Sequence, residues 1–247
     1  TGLVETPQGK IFLREWPAQG PARGTAVLLH GLFADSQSFV TLGRQLAAKG
    51  LRTIAADLPG HGRSVAPATS PAEMADVLMA ALPQGITQIV GHSLGGVVGT
   101  LLAERLPALQ GLTLLAPAGT GQDINAAFLA DMLNGRIDAA LAHLGETVPA
   151  EAVAELAVSL AENRAQLGEI AGHVAEHGQQ KISILAALGR LPMPVTALYM
   201  RDDPVVPARH AFNMPATVAV HFLPGASHLP HWRDPALVVR LIARHQE

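Results

Sequence analysis

The sequence predicts an α/β architecture, a mostly parallel sheet covered by helices on both faces, and three observations carry that prediction. Short continuous apolar runs of strand length recur along the chain. Segments with apolar residues at helical spacing alternate with those runs. Hydrophobic residues make up 49% of the 247 and charged residues only 15%, enough apolar material to bury a sheet from both sides.

Residues 2–16 alternate apolar and polar positions around Pro7-Gln8-Gly9, which predicts an opening antiparallel hairpin. Ala26-Val27-Leu28-Leu29 is a different signal, a continuous apolar run ending in His30-Gly31, as expected of a strand buried on both faces. Ser36 is expected to cap a helix carrying Phe39, Leu42 and Leu46, which Gly50 closes. Residues 52–56 read as the next strand, 57–64 as a Gly/Pro-rich loop, and 71–82 as a helix with Pro71 in its first turn. A further buried strand at 86–90 runs into Gly91-His92-Ser93-Leu94-Gly95-Gly96 and a helix bearing Val97, Val98, Leu101, Leu102 and Leu106. Strands at 112–115, 195–200 and 218–223 and a helix at 235–245 complete the pattern.

Between residues 121 and 190 the rhythm changes to Ala/Leu/Glu-rich segments of helical period with no strand. This predicts a helical cap at 121–190 inserted into a core made of residues 1–120 and 191–247.

Composition excludes several classes of function. A net charge of −3 with scattered basic residues leaves no footprint for nucleic acid or an anionic membrane surface, so a small, weakly polar substrate is expected. The absence of cysteine excludes disulfides, thiolate zinc sites and a cysteine nucleophile. No stretch approaches eighteen uninterrupted apolar residues and the first residues lack a signal-peptide pattern, so a soluble, cytoplasmic protein is expected. Thr1 in place of Met points to a chain that was processed, tagged or cut from a longer one. No cofactor and no metal are expected, and the oligomeric state is left open.

The chemistry concentrates at Gly91-His92-Ser93-Leu94-Gly95, which matches G-x-S-x-G with a strand before it and a helix beginning within it. A serine hydroxyl is a poor nucleophile until a base takes its proton, and the base must be held in one tautomer by a carboxylate. Asp203 follows the apolar run at 195–200, and His228 follows the run at 218–223 in Gly225-Ala226-Ser227-His228. Both fall on loops at strand C-terminal ends, where an open α/β sheet builds its sites. The oxyanion of a tetrahedral intermediate needs backbone NH donors, and Leu94 and Leu32 supply the two candidates.

From end to end the chain resembles the α/β-hydrolases. The resemblance rests on His30-Gly31, Asp57-Leu58-Pro59-Gly60-His61-Gly62-Arg63-Ser64, the Ser93 elbow, the Asp203 loop and the loop from Gly225 to His228. It implies the α/β-hydrolase fold. Ala116-Pro117-Ala118-Gly119 with Asp123-Ile124-Asn125 resembles the hydrolase-like catalytic domain of the dihydrolipoamide acetyltransferase of acetoin dehydrogenase complexes. That subgroup would imply acyl transfer from an acyl-lipoyl thioester to coenzyme A, although no lipoyl-bearing lysine segment is present. The family pattern places the acid three residues after a glycine aligned here with Met200, which selects Asp203 over its neighbour Asp202.

Other residues have plainer readings. Asp123 is an alternative acid position but is expected to cap a helix. His173-Val174-Ala175-Glu176-His177 fits an inverted zinc-protease pattern with both histidines on one helical face, and a solvated or substrate-facing helix edge is the expected reading. Strand geometry turns the His92 side chain away from that of Ser93, His231 is expected on a surface loop, and Asp57 and Arg63 hold their loop by charged hydrogen bonds. Phe33, Phe39, Phe128, Met132, Phe212 and Trp232 are candidates for an acyl pocket, each read first as ordinary packing.

The function expected is therefore hydrolysis of an ester or thioester through an acyl-enzyme on Ser93. Acyl transfer to a thiol such as coenzyme A, carbon–carbon bond hydrolysis of a vinylogous diketone, and a catalytically silent binding module are the alternatives. Haloalkane dehalogenation is disfavoured because it needs a carboxylate where Ser93 stands.

Overall fold

The structure is a computed structural model that describes residues 1–145, 147–148 and 150–246. The opening hairpin forms as expected, from β1 (Gly2–Thr6) and β2 (Gly9–Trp16), paired antiparallel. It continues into β3 (Gly24–Leu29), β4 (Leu51–Ala56), β5 (Ile86–His92) and β6 (Gly111–Leu115). The strand order of the eight-stranded sheet places β1-β2-β4-β3-β5-β6 side by side, followed by the two strands nearest the C-terminus. Beyond the β1–β2–β4 edge, every pairing is parallel.

The period of two in β3 explains its unbroken apolar run, because its residues serve two cores. Ala26 and Leu28 pack with Phe39, Leu42 and Leu46 of α1 (Val40–Ala48) and the turn before it. Val27 and Leu29 pack on the opposite face, against Met74 and Leu78 of α2 (Pro71–Ala81) and Val98 and Leu102 of α3 (Leu94–Ala103). All four strand residues are fully buried, as the outer alternation of a half-exposed strand would not allow. Helix α2 begins where Pro71 suggested, with a capping box between Ser70 and Glu73.

One helix start differs from the expectation. Asp35, not Ser36, caps the segment after β3, accepting from the Gln37 NH at 2.7 Å. Ser36 is instead buried as the first residue of a short 3₁₀ turn, and its NH donates to Asp57 Oδ1 at 2.7 Å.

Between β6 and the next sheet strand lie α4 (Ala126–Leu133), α5 (Ile137–Ala142), α6 (Ala150–Val174) and α7 (Leu185–Leu188). The stretch is not free of strand. Ala175–Glu176 and Gln179–Gln180 (β7 and β8) form a two-residue antiparallel pair that reverses the chain after α6. Too short to leave an apolar period, it is held by side-chain and backbone bonds, including Gly119 NH to Gln180 Oε1 at 2.7 Å. Asp123 does not cap α4; Asn125 does, accepting from Phe128 NH at 3.0 Å, while Asp123 pairs with Arg209.

The chain returns to the sheet as β9 (Val195–Met200) and β10 (Val218–Leu223), then closes with α8 (Pro230–Arg233) and α9 (Pro235–Ala243). Helix α9 lies with α1 on one face through Val238, Leu241 and Ile242. The chain leaves β3 for β4 on one side and β5 pairs on the other, so strand order reverses at β3/β5. The carboxyl ends of those two strands open the crevice where such sheets bind ligands. No helix among the described residues is long and apolar enough to cross a membrane.

Candidate active site

Ser93 occupies the single residue between the end of β5 and the start of α3, with φ 51° and ψ −115°. For a residue with a Cβ this backbone costs about 1–3 kcal/mol, so the surroundings must impose it. They do so by hydrogen bonds: Ser93 NH donates to the Leu115 carbonyl at 3.0 Å, and its own carbonyl accepts from Gly96 NH and Ala118 NH at 2.9 and 3.2 Å. The flanking glycines are steric necessities. A Cβ on Gly95 would lie 2.1 Å from the Leu29 carbonyl oxygen, and one on Gly91 2.4 Å from that of Gly95.

Asp203 lies three residues beyond β9, buried, with one carboxylate oxygen accepting from Val205 NH and Val206 NH at 2.8 and 3.0 Å. Its other oxygen accepts from His228 Nδ1 at 2.8 Å. With the proton on Nδ1, His228 presents Nε2 as an acceptor. The His228 backbone is held as well, its NH donating to the Leu144 carbonyl at 3.0 Å. Asp202 is exposed, with its NH on the Gly225 carbonyl. Of the two neighbouring aspartates, the one against His228 is Asp203.

The loop after β3 is set by a histidine whose side chain the motif reading passed over. His30 Nε2 accepts from Leu58 NH at 2.9 Å, so its proton sits on Nδ1, which donates to the Gly31 carbonyl at 2.8 Å. Ala34 NH donates to the same carbonyl at 3.2 Å. The Gly31 carbonyl and the Leu32 NH belong to one trans peptide and point in opposite directions. Pinning the carbonyl toward His30 therefore turns the Leu32 NH away from it. Burial pushes the His30 pKa down against the pull of Asp57, which preserves the neutral tautomer this arrangement needs. Asp57 holds its loop as expected, accepting from Ser36 NH and Arg63 NH, whereas Arg63 joins through its backbone and its guanidinium stands 4.9 Å over the Phe12 ring.

Ser93, His228, Leu32 and Leu94 all line one cavity of about 140 Å³. Leu94 opens α3, so its NH is among the first-turn donors without an intrahelical acceptor. Most of the remaining wall is apolar, where Phe33, Phe128 and Met132 meet Leu144, Leu156 and Trp232, with Asp35, Gln37, Ser38, His92 and Glu155 adding polar groups. Two candidates for this wall lie elsewhere, Phe39 in the sheet–helix core and Phe212 at 88% exposure on the surface. No Lys or Arg lines the cavity among the described residues.

A profile of the alpha/beta hydrolase family matches residues 26–241. The chain belongs to that family. It is 29% identical to the dihydrolipoyllysine-residue acetyltransferase component of the acetoin cleaving system of Pseudomonas putida, over 88% of this chain and 62% of that protein. The resemblance to the acetoin system is therefore real and distant. It is 28% identical to the pimeloyl-[acyl-carrier protein] methyl ester esterase of Chromobacterium violaceum, over 93% and 95% of the two chains. The solved structure of the N-acyl homoserine lactonase AidH with N-butanoyl homoserine superposes with a TM-score of 0.78 at 23% identity, covering 98% of this chain and 94% of that one.

Two histidine readings need correction in this α/β-hydrolase. His173 and His177 do not share a helical face: α6 ends at Val174, and His177 sits in the β7–β8 turn at φ 50°. Among the described residues no group of three or more His, Cys, Asp or Glu is placed to hold a metal. His231 is not on a surface loop. It stands in α8, 1% exposed, with its ring 4.8 Å from Phe39 and 4.9 Å from His92. The short helix begun by Pro230 turns it onto the core, a consequence of three-dimensional packing that spacing from His228 does not reveal.

Burial, reinforced by the nearby His228, holds the His231 pKa at about 3, and burial does the same for His61, against an ordinary 6.5. Each therefore binds a proton in the unfolded chain but not in the folded one between those values. Their stabilisation is complete above pH 6.5 and is lost as pH falls toward 3. Denaturant unfolding across pH 6 to 4 should show His231→Phe with a shallower pH slope than the parent, by about 1.4 kcal/mol per pH unit. Equal slopes would mean that His231 does not contribute.

Proposed function

We propose that this α/β-hydrolase cleaves a carboxylic ester or thioester through an acyl-enzyme on Ser93. The observation that carries the reading is the buried Asp203–His228 hydrogen bond, with His228 and a serine held at φ 51° lining one largely apolar cavity. His228 Nε2 takes the Ser93 proton as Oγ attacks the acyl carbon, and Asp203 stabilises the imidazolium that forms. The NH groups of Leu32 and Leu94 hold the developing oxyanion. The proton then passes from His228 to the departing alkoxide or thiolate, and a water activated by the same histidine releases the acid. Residues 121–190 act as a cap whose side chains, with Phe33 and Trp232, form the acyl wall.

An engineered cavity of about 150 Å³ lined by aliphatic and aromatic side chains accepts benzene. A cavity of about 140 Å³ accordingly suits a neutral acyl chain of roughly six carbons. The test is a series of p-nitrophenyl esters and matched thioesters from two to twelve carbons, with fluorophosphonate labelling of the same preparation. Labelling at Ser93 and a kcat/KM maximum at medium chain length are expected. Folded protein that neither labels nor turns over any member sinks the proposal.

The similarity to the acetoin-system acetyltransferase favours acyl transfer to a thiol as the second reading. Product partition decides between them: acyl-thiol forming faster than free acid at millimolar added thiol makes the protein a transferase.

A further inference from the structure

His92 is spent on neither nucleophile nor base, yet it touches the segments that carry both. It ends β5, directly bonded in sequence to Ser93, and its ring is buried 4.8 Å from that of His228. Its Nε2 lies 2.8 Å from the His228 carbonyl oxygen. A carbonyl only accepts, so Nε2 carries the proton and donates. The bare Nδ1 is buried without a hydrogen-bond partner among the described residues and faces Gly31: a Cβ there would fall 2.9 Å from Nδ1 and 3.1 Å from the Ser93 Cβ. Burial, then the neighbouring His228 and His231, keep the His92 pKa well below its ordinary value, so the ring stays a single-proton donor.

We propose that His92 is a positioning residue that fixes the distance between nucleophile and base, by hydrogen-bonding the His228 carbonyl from the residue adjoining Ser93. The base is then held at three points: its side chain by Asp203, its NH by the Leu144 carbonyl, and its carbonyl by His92. Only the last ties it to the strand that carries Ser93. The same ring fills the space beside Gly31, so the loop that presents the Leu32 NH is seated against it too. Reacting groups must be held within about half an ångström for efficient transfer, and displacement by about 1 Å can cost 10²-fold.

This inference rests on the Ser93–His228 chemistry proposed above, and the experiment separates the two. His92→Phe keeps a ring of similar size without the donor, whereas His92→Gln keeps an NH near the Nε2 position. On p-nitrophenyl hexanoate, His92→Phe is expected to lower kcat about 10- to 100-fold with KM within about twofold, and to slow fluorophosphonate labelling of Ser93 in parallel. His92→Gln should recover most of both rates. Thermal unfolding of both variants accompanies the kinetics, so that the comparison is made between folded proteins. Full activity in His92→Phe, or an equal loss in Phe and Gln variants of equal stability, overturns the positioning role. Turnover retained by Ser93→Ala instead overturns the chemistry itself, whatever His92 does.

Discussion

Replacing Ser93 by Ala is expected to lower ester turnover by about 10⁵- to 10⁶-fold and to abolish fluorophosphonate labelling. The size of the loss follows from how the site is built. The strained backbone at φ 51° presents the Ser93 side chain to the cavity that His228 also lines, where the proposed chemistry needs it. The residual rate would come from binding and from the Leu32 and Leu94 NH groups acting on a water-attacked ester. Because Ala carries the same Cβ, the elbow and its bonds to Leu115, Gly96 and Ala118 remain, and thermal stability should match the parent. The measurement is initial-rate hydrolysis at high enzyme concentration, with removal of contaminating esterase checked by labelling. Activity within tenfold of the parent would place the chemistry elsewhere.

Asp203→Asn should cost about 10³- to 10⁴-fold in kcat while leaving the fold intact. The local hydrogen bonds say why the loss is so large. Val205 NH and Val206 NH both donate to Oδ1, so the oxygen of an asparagine would take that side and its NH₂ would face His228. Nδ1 also lies 3.1 Å from Oδ1, but its nearer partner at 2.8 Å becomes an NH₂ group that can only donate, which favours Nδ1 as acceptor and the ring proton on Nε2. The base would then meet Ser93 already carrying the proton it should remove. Asp202→Asn, on an exposed side chain away from the imidazole, should change kcat less than twofold. Similar losses at the two positions would show that bulk charge near the loop, not the hydrogen bond to Nδ1, is what His228 needs.

The sheet and its two helical faces were legible because their signals are local. A run such as Ala26-Val27-Leu28-Leu29 has no arrangement as economical as a strand between two helical layers, and the glycines around Ser93 announce close backbone approach. Which aspartate bonds to His228 was harder to read, since Asp202 and Asp203 differ only in which of them a turn directs inward. Residues whose partners lie far along the chain were not legible. His231 reads as polar yet packs against Phe39, 192 positions earlier (231 − 39), and the His30 tautomer depends on Leu58 NH. The β7–β8 pair is fixed by Gln180 bonding to Gly119 and Asp123, which leaves no periodicity to detect. The cavity wall was only partly visible: Phe33, Phe128, Met132 and Trp232 line it, but no spacing rule distinguishes them from Phe39 or Phe212.

The bond from His228 NH to the Leu144 carbonyl sets a rule for remodelling this enzyme. Leu144 lies just past α5, and its turn packs so closely that a Cβ on Gly145 would fall 2.2 Å from the Ala226 carbonyl oxygen. A helical segment transplanted from another hydrolase to change substrate range must deliver a carbonyl to that one point, or the imidazole loses a tether. Gly145 and the Asn125 bonds to the Pro204 and Val205 carbonyls are held to the same rule, which leaves cavity-lining side chains such as Phe128, Met132 and Leu141 for fit to a new acyl chain. Any change of substrate range through this segment thus has to leave the placement of the His228 imidazole untouched.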